Sequence, residues 1–251
     1  MDKKWKFYLR SILNHLSETN YIRPNDIPNI ELYMDQVTSF LDDHLEQSKR
    51  FDNDKLLTKT MINNYTKNEL LPSPVKKKYS KDHMYLLVFI YYLKNFLSIN
   101  DVKNIVGPMK DMFVGENAEI SLEEIYREIF DIESMVGDDI TKDVMAKFDK
   151  SKRTFSGVKG EEEKEFLSIF SFIAMLSIDV YLKKQIIERI IDDLLVPAQE
   201  NRKKETEQAQ KNRKKSGEQS GKDDREQRKS GKKRKDEKTA EVENKEGAAT
   251  E

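Results

Sequence analysis

Apolar positions recur at helical spacing through most of the first 196 residues and divide the chain into a run of helices. Residues 3–16, with Trp5, Tyr8, Leu9, Ile12, Leu13 and Leu16 on one side, predict a first helix whose single Trp packs against a neighbour. A turn-rich connection with Pro24 and Pro28 follows. Ile30 to Leu45 then predicts a second helix, apolar at Tyr33, Met34, Val37, Phe40, Leu41 and Leu45. After the loop Glu46–Asp54, a helix over Thr58–Asn68 places Leu57, Met61, Ile62 and Tyr65 on one arc at 100° per residue. The opposite arc holds Lys59, Thr60, Asn63, Asn64, Thr66 and Lys67, with no acid before Glu69.

Pro72 and Pro74 end that helix and favour extended backbone around them. The run Lys76-Lys77-Lys78-Tyr79 follows, predicting a small basic β excursion. Ser80 is placed to cap the next helix, whose body MYLLVFIYYLKNFL is apolar all round and predicts the central buried element. Its aromatics are expected in the core. Ser98 and Asp101 have capping-box spacing, and Gly107-Pro108 is expected to stop the helix they open. Ser121 and Glu124 open another to about Ser134, and Gly137 is expected to begin a further one to about Asp149. A basic linker, 150–160, leads to a long helix from Glu163 to about Val196, whose acid-rich start suits the helix dipole. At 1.5 Å per residue, about 30 residues span roughly 45 Å, more than a small domain needs for its own core. The reading is therefore a homodimer along this helix, 163–196, or packing on the helices of residues 109–150.

Charge sharpens the division. Lys55–Val106 holds nine Lys or Arg against three acids, a net +6, whereas residues 107–200 hold 12 against 21, a net −9. Basicity concentrated inside a chain of formal net charge −1 points to a polyanionic partner. From Pro197 the chain is almost wholly polar and cannot bury enough apolar surface to offset chain entropy, which predicts a disordered charged tail over 197–251. That tail has 17 basic and 12 acidic residues from 201 onward, so it reads as solubilising or as a weak basic arm.

The absence of cysteine excludes thiolate metal sites, disulfides and thiol sensing. His15, His44 and His83 are far apart and lack metal-ligand spacing, so each is read as a surface or boundary residue. No glycine-rich phosphate loop or catalytic constellation is present, and an enzyme, a cofactor and a metal site are not expected. The longest uncharged stretch, Phe166–Ile178, is too short to span a bilayer, and no leader of secretory type precedes it. A cytoplasmic protein that does not engage membranes is expected.

The run TKTMINNYTKNELLPSPVKKKYSKDHMYLLVFIYYLKNFLSINDVKNIV resembles the winged-helix DNA-binding domain of MerR-type regulators, at Tyr65, Leu70, Leu71, Pro72, Tyr79 and the segment Ser98–Val102. Together with YIRPNDIPNIELYMDQVTSFLDDHL it is similar to an uncharacterised bacterial family, the domain of unknown function DUF1836, itself regarded as MerR-like. The resemblance covers roughly residues 20–110. Two positions depart from the MerR pattern: Asn63 or Asn64 stands where an Arg is usual, and Glu69 where a Gly is usual.

The expected protein is mainly α. An N-terminal helix (1–20) leads into a MerR-like winged helix-turn-helix domain (21–108), an α-helical C-terminal module for dimerisation or effector binding (109–196) and the tail. The expected function is DNA-binding transcriptional regulation. Thr58, Lys59, Thr60, Asn63, Asn64 and Lys67 would face the major groove of duplex DNA, with Asn63 as base reader and Lys59 and Lys67 on phosphate. Lys76, Lys77 and Lys78 would hold the flanking backbone, with Tyr79 anchoring the wing to the core. Two rivals remain: a protein–protein adaptor that keeps the winged fold, and a membrane-surface protein using Phe166–Leu182. Operator, regulated genes and effector are not legible in the sequence.

Overall fold

In the computed structural model, which describes residues 2–19, 22–115 and 118–202 together with 204, 205 and 208, nearly all regular structure is helical. Helix α1 is Asp2–Thr19, strand β1 Leu32–Tyr33 and helix α2 Met34–Leu45. Helix α3 is Lys59–Lys67, strand β2 Lys78–Tyr79 and helix α4 Lys81–Lys94. Three further helices follow: α5, Ile99–Phe113; α6, Leu122–Ser151; and α7, Glu161–Ile190.

The predicted helix over Ile30–Leu45 begins late. Leu32 and Tyr33 are extended instead and pair antiparallel with Tyr79 and Lys78, as Leu32↔Tyr79 and Tyr33↔Lys78. This pairing inserts the Leu32 side chain into the core, which local helical periodicity cannot foresee. Helix α4 is the centre of that core: His83 to Val88, Ile90 and Tyr91 are all buried. Around it pack Val37, Leu41 and Leu45 of α2, Ile62 and Tyr65 of α3, and Val102 and Val106 of α5. The caps at Ser98 and Ser121 form as their spacing predicts, with the serine hydroxyls accepting from the Asp101 and Glu124 amides at 3.2 Å each.

Pro108 does not end α5, which continues to Phe113. Its apolar stripe runs on through Met109 and Phe113 onto the core, and that burial offsets the one backbone hydrogen bond a helical proline gives up. The boundary expected at residue 108 therefore falls inside a helix. Leu122 and Tyr126 of α6 and Ile191 beyond α7 join the same core. The Tyr126 hydroxyl donates to the Ile22 carbonyl, and Glu123 accepts from Lys81 of α4 at 2.7 Å and Arg127 at 3.0 Å. These two donors, Lys81 first, hold the Glu123 carboxyl below its usual pKa.

The two helices predicted around Gly137 are one helix, α6, because glycine costs only about 1 kcal/mol inside a helix and need not break it. Helix α7 starts at Glu161 and packs antiparallel on α6 through Phe148–Phe172 (ring centroids 5.4 Å apart) and Lys147–Asp179 (3.2 Å). Past Ile190 the chain winds as a π-helix over Ile191–Leu195. Ile187, Ile191 and Leu195, four residues apart, lie on the core side through this turn. Contacts divide the chain into the units Met1–Val196 and Pro197–Glu251. Residues 197–202 are helical rather than unstructured, consistent with the strong helix formers Ala198, Gln199, Glu200 and Arg202. From residue 209 the expected disordered tail lies outside the described residues.

Candidate nucleic-acid interface

Helix α3 owes its start to Thr58, whose hydroxyl accepts from the Met61 amide at 3.2 Å. Thr58 is thus committed as an N-cap. Thr60, Asn63, Asn64 and Lys67 form an exposed polar stripe along the other side of α3 from buried Ile62 and Tyr65. The helix closes with two bonds that satisfy its last carbonyls: Leu70 N–H to Tyr65 at 2.9 Å and Glu69 N–H to Thr66 at 3.1 Å. The residue between cap and closure, Glu69, has φ 63°, the left-handed conformation in which a glycine is unstrained.

The basic excursion is a hairpin. Val75 and Lys78 exchange both backbone hydrogen bonds, at 3.1 and 2.9 Å, around a two-residue turn. Lys76 and Lys77 form its tip with φ of 51° and 66°. Positive φ at both central positions defines the tight hairpin turn usually built from Asn-Gly, and lysine accepts that conformation at a cost of about 1 kcal/mol or more each. Both side chains are exposed at the tip.

Lys78 and Lys59 have partners. Lys59 is ion-paired with Asp35 in the first turn of α2, and Lys78 lies 3.5 Å from Glu31, just before β1. Lys78 also sits over the Tyr33 ring at 5.7 Å. The first turn of α3 and the base of the hairpin thus converge on one corner, Glu31 to Asp35. Exposed pairs of this kind are worth about 0–1 kcal/mol, so either lysine exchanges its carboxylate for another anion at little cost. Tyr79 is 3% exposed and stacks edge-on against His83 at 5.4 Å; it fastens the hairpin and offers a ligand no surface.

His83, expected near a surface, is buried behind the hairpin. Its Nδ1 accepts from the Ser80 amide at 3.0 Å, which leaves the proton on Nε2. Nε2 is enclosed and has no hydrogen-bond partner of good geometry. Burial lowers the His83 pKa; the nearby Pro72 carbonyl, Asp82 and the Ser73 carbonyl oppose this only in part.

Helical periodicity missed several groups beside the site. Lys49 and Lys55 line a cavity of about 350 Å³ between α2 and the start of α3, with Thr38, Asp42, Asp54 and Thr58. Lys94 anchors the same loop by donating to the Leu56 carbonyl, and Ser48 bonds the Tyr91 hydroxyl. Charge within the loop signals Lys49 and Lys55, but only the folded chain brings them near Lys59. Among the described residues no group of His, Cys, Asp and Glu is arranged to hold a metal ion.

Residues 22–129 match the model of a family described as a domain of unknown function, DUF1836. The matched segment runs from the core residue Ile22 past Tyr126, the two residues joined by the hydroxyl–carbonyl bond described above. No curated protein and no solved structure matches the chain.

Proposed function

We propose that the lobe formed by residues 22–113 is a MerR-like winged helix that binds duplex DNA and regulates transcription. The observation that carries this reading is that the first turn of α3, which opens an acid-free polar face, and the base of a dilysine hairpin converge on one corner, Glu31 to Asp35. Thr60, Asn63, Asn64 and Lys67 have the dimensions and chemistry to enter a major groove, with Asn63 or Asn64 pairing bidentately with adenine. Lys76 and Lys77 at the hairpin tip supply phosphate contacts. Lys59 and Lys78 supply two more when Asp35 and Glu31 release them. Thr58 and Tyr79 hold the two elements in place.

The test is fluorescence anisotropy of the full chain on duplex DNA across a salt series. Each phosphate contact contributes a slope of about −0.9 in log affinity against log salt, so K76A/K77A should flatten the slope by about 2. Asn63→Ala should leave the slope unchanged and erode discrimination between sequences by about 1–3 kcal/mol at one base pair. Unchanged salt dependence in the double variant would sink the hairpin's role.

A second reading rests on a different observation. Ile30, Tyr33 and Val75 are large, apolar and exposed, and Tyr33 and Val75 both adjoin Lys78. A mixed apolar and basic surface suits an acidic peptide, as an adaptor would require. V75S/Y33S that keeps DNA affinity but loses capture of an acidic peptide would favour that reading.

A further inference from the structure

The face of α7 turned away from α6 is apolar and uncovered. Phe166 is 67% exposed, Phe170 56%, Ile173 55% and Val180 62%, and with Ser177 they recur at alternating four- and three-residue steps. That alternation is the seam spacing of a helix packed on a second helix. Tyr181 flanks the seam. At roughly 100 Å² for each half-exposed large side chain, the patch reaches several hundred square ångströms per chain. At about 500 Å² it lies in the upper part of the 300–600 Å² range of a monomer's largest, often functional, apolar patch, and the rest of the ~800 Å² per partner of a standard interface would come from the flanking polar rim.

The seam is bounded by opposite charges. Glu163 continues it at one end, among Glu161, Glu162 and Glu165, and Lys184 continues it at the other, beside Lys183. We propose that two copies of the chain pair through α7, antiparallel, about a two-fold axis between Ile173 and Ala174. Glu163 of each copy then faces Lys184 of the other, Phe166 faces Tyr181, and Phe170 packs over the small Ser177. A parallel arrangement would set four glutamates against four. The interface is self-complementary, as a closed two-fold dimer requires.

A bilayer is the other medium such a helix suits, since α7 contains an apolar 18-residue window of which 11% is buried. Asp179 argues against that occupant. It is paired with Lys147 of α6 at 3.2 Å and with Lys183 at 3.0 Å, so insertion of α7 would carry charged α6 into hydrocarbon. The glutamate cluster at its start would also be repelled by anionic lipid.

This inference is independent of the DNA reading and is tested without nucleic acid. Light scattering of the full chain at tens of micromolar should give twice the chain mass. Ile173→Glu should return it to a monomer with unchanged far-ultraviolet circular dichroism. Lys184→Glu should weaken the dimer at least tenfold, and adding Glu163→Lys should restore it. Because the chain has no cysteine, single cysteines report register. Ile173→Cys should cross-link to its own copy under mild oxidation. Phe166→Cys should not, because the two 166 positions lie about 22 Å apart along the antiparallel pair at 1.5 Å rise per residue. A monomeric wild type, a dimer indifferent to Ile173→Glu, or equal cross-linking at 166 and 173 would each overturn the proposal. So would flotation with phosphatidylcholine–phosphatidylglycerol vesicles in place of dimerisation.

Discussion

The lobe of residues 22–113 and the α6–α7 hairpin cover apolar surface to very different degrees. In the lobe, α4 is buried among α2, α3, α5 and the start of α6, and the exposed faces of α3 and the hairpin tip are polar and basic. In the hairpin, α7 touches α6 along one stripe, and Phe166, Phe170, Ile173 and Val180 face outward. The first region, with Leu122 and Tyr126 of α6 and Ile191 completing its core, leaves charge on the faces of α3 and the hairpin tip. The second leaves apolar surface outside, as a surface for another apolar face does. The positive charge is local within the lobe: Lys55–Val106 nets +6, whereas the whole of residues 22–113, with 13 basic and 12 acidic side chains, nets only +1, and residues 107–200 net −9.

The largest expected effect contrasts the two interiors. Leu87→Ala, at a fully buried position of α4, should destabilise the chain by about 2–5 kcal/mol, measured by denaturant unfolding. Phe170→Ala should cost the fold of a single chain under about 1 kcal/mol, because it removes surface already in water. Equal losses would mean that α7 is covered within one chain, and the comparison would fail.

Next come two backbone positions of the lobe. Thr58→Ala should destabilise by about 1 kcal/mol through loss of the α3 N-cap. Glu69→Gly should stabilise by about 1 kcal/mol, because glycine holds φ 63° without strain. Thermal melts check both, and Glu69→Gly should leave the salt slope of DNA binding intact.

Acid should act on the lobe through His83. Burial lowers its folded-state pKa below the ordinary value of 6.5, so the unfolded chain binds the proton more readily. The stabilisation is complete above about pH 6.5 and is lost as pH falls toward the folded-state value. The melting temperature should therefore drop between pH 7 and pH 5.5, and His83→Asn should remove that component of the drop. The smallest effect belongs to the exposed pair Lys142–Asp139 on α6, where Lys142→Ala should change stability by less than about 0.5 kcal/mol.

Much of the fold was legible because local rules and the tertiary structure agree. The all-round apolar run after Ser80 had nowhere to go but the centre, and the caps at Ser98 and Ser121 formed as their spacing requires. The candidate site was legible as composition: an acid-free arc on one helix and a lysine run after two prolines. Its assembly was not. That Lys59 and Lys78 reach the same corner depends on Asp35 and Glu31, acids whose sequence neighbourhood says nothing of α3 or the hairpin.

The chain's own pattern thus determined which segments are helical, which helix is central and where positive charge is concentrated, since these follow from periodicity, capping and residue type over a few turns. The tertiary structure alone decided the pairing of Leu32 with Tyr79, the passage of α5 through Pro108 and the fusion of α6 across Gly137. It also decided the burial of His83 and the π turn at Ile191. Each of these is a local preference outweighed by apolar surface brought together from distant parts of the chain, and that sum exists only once the chain has folded.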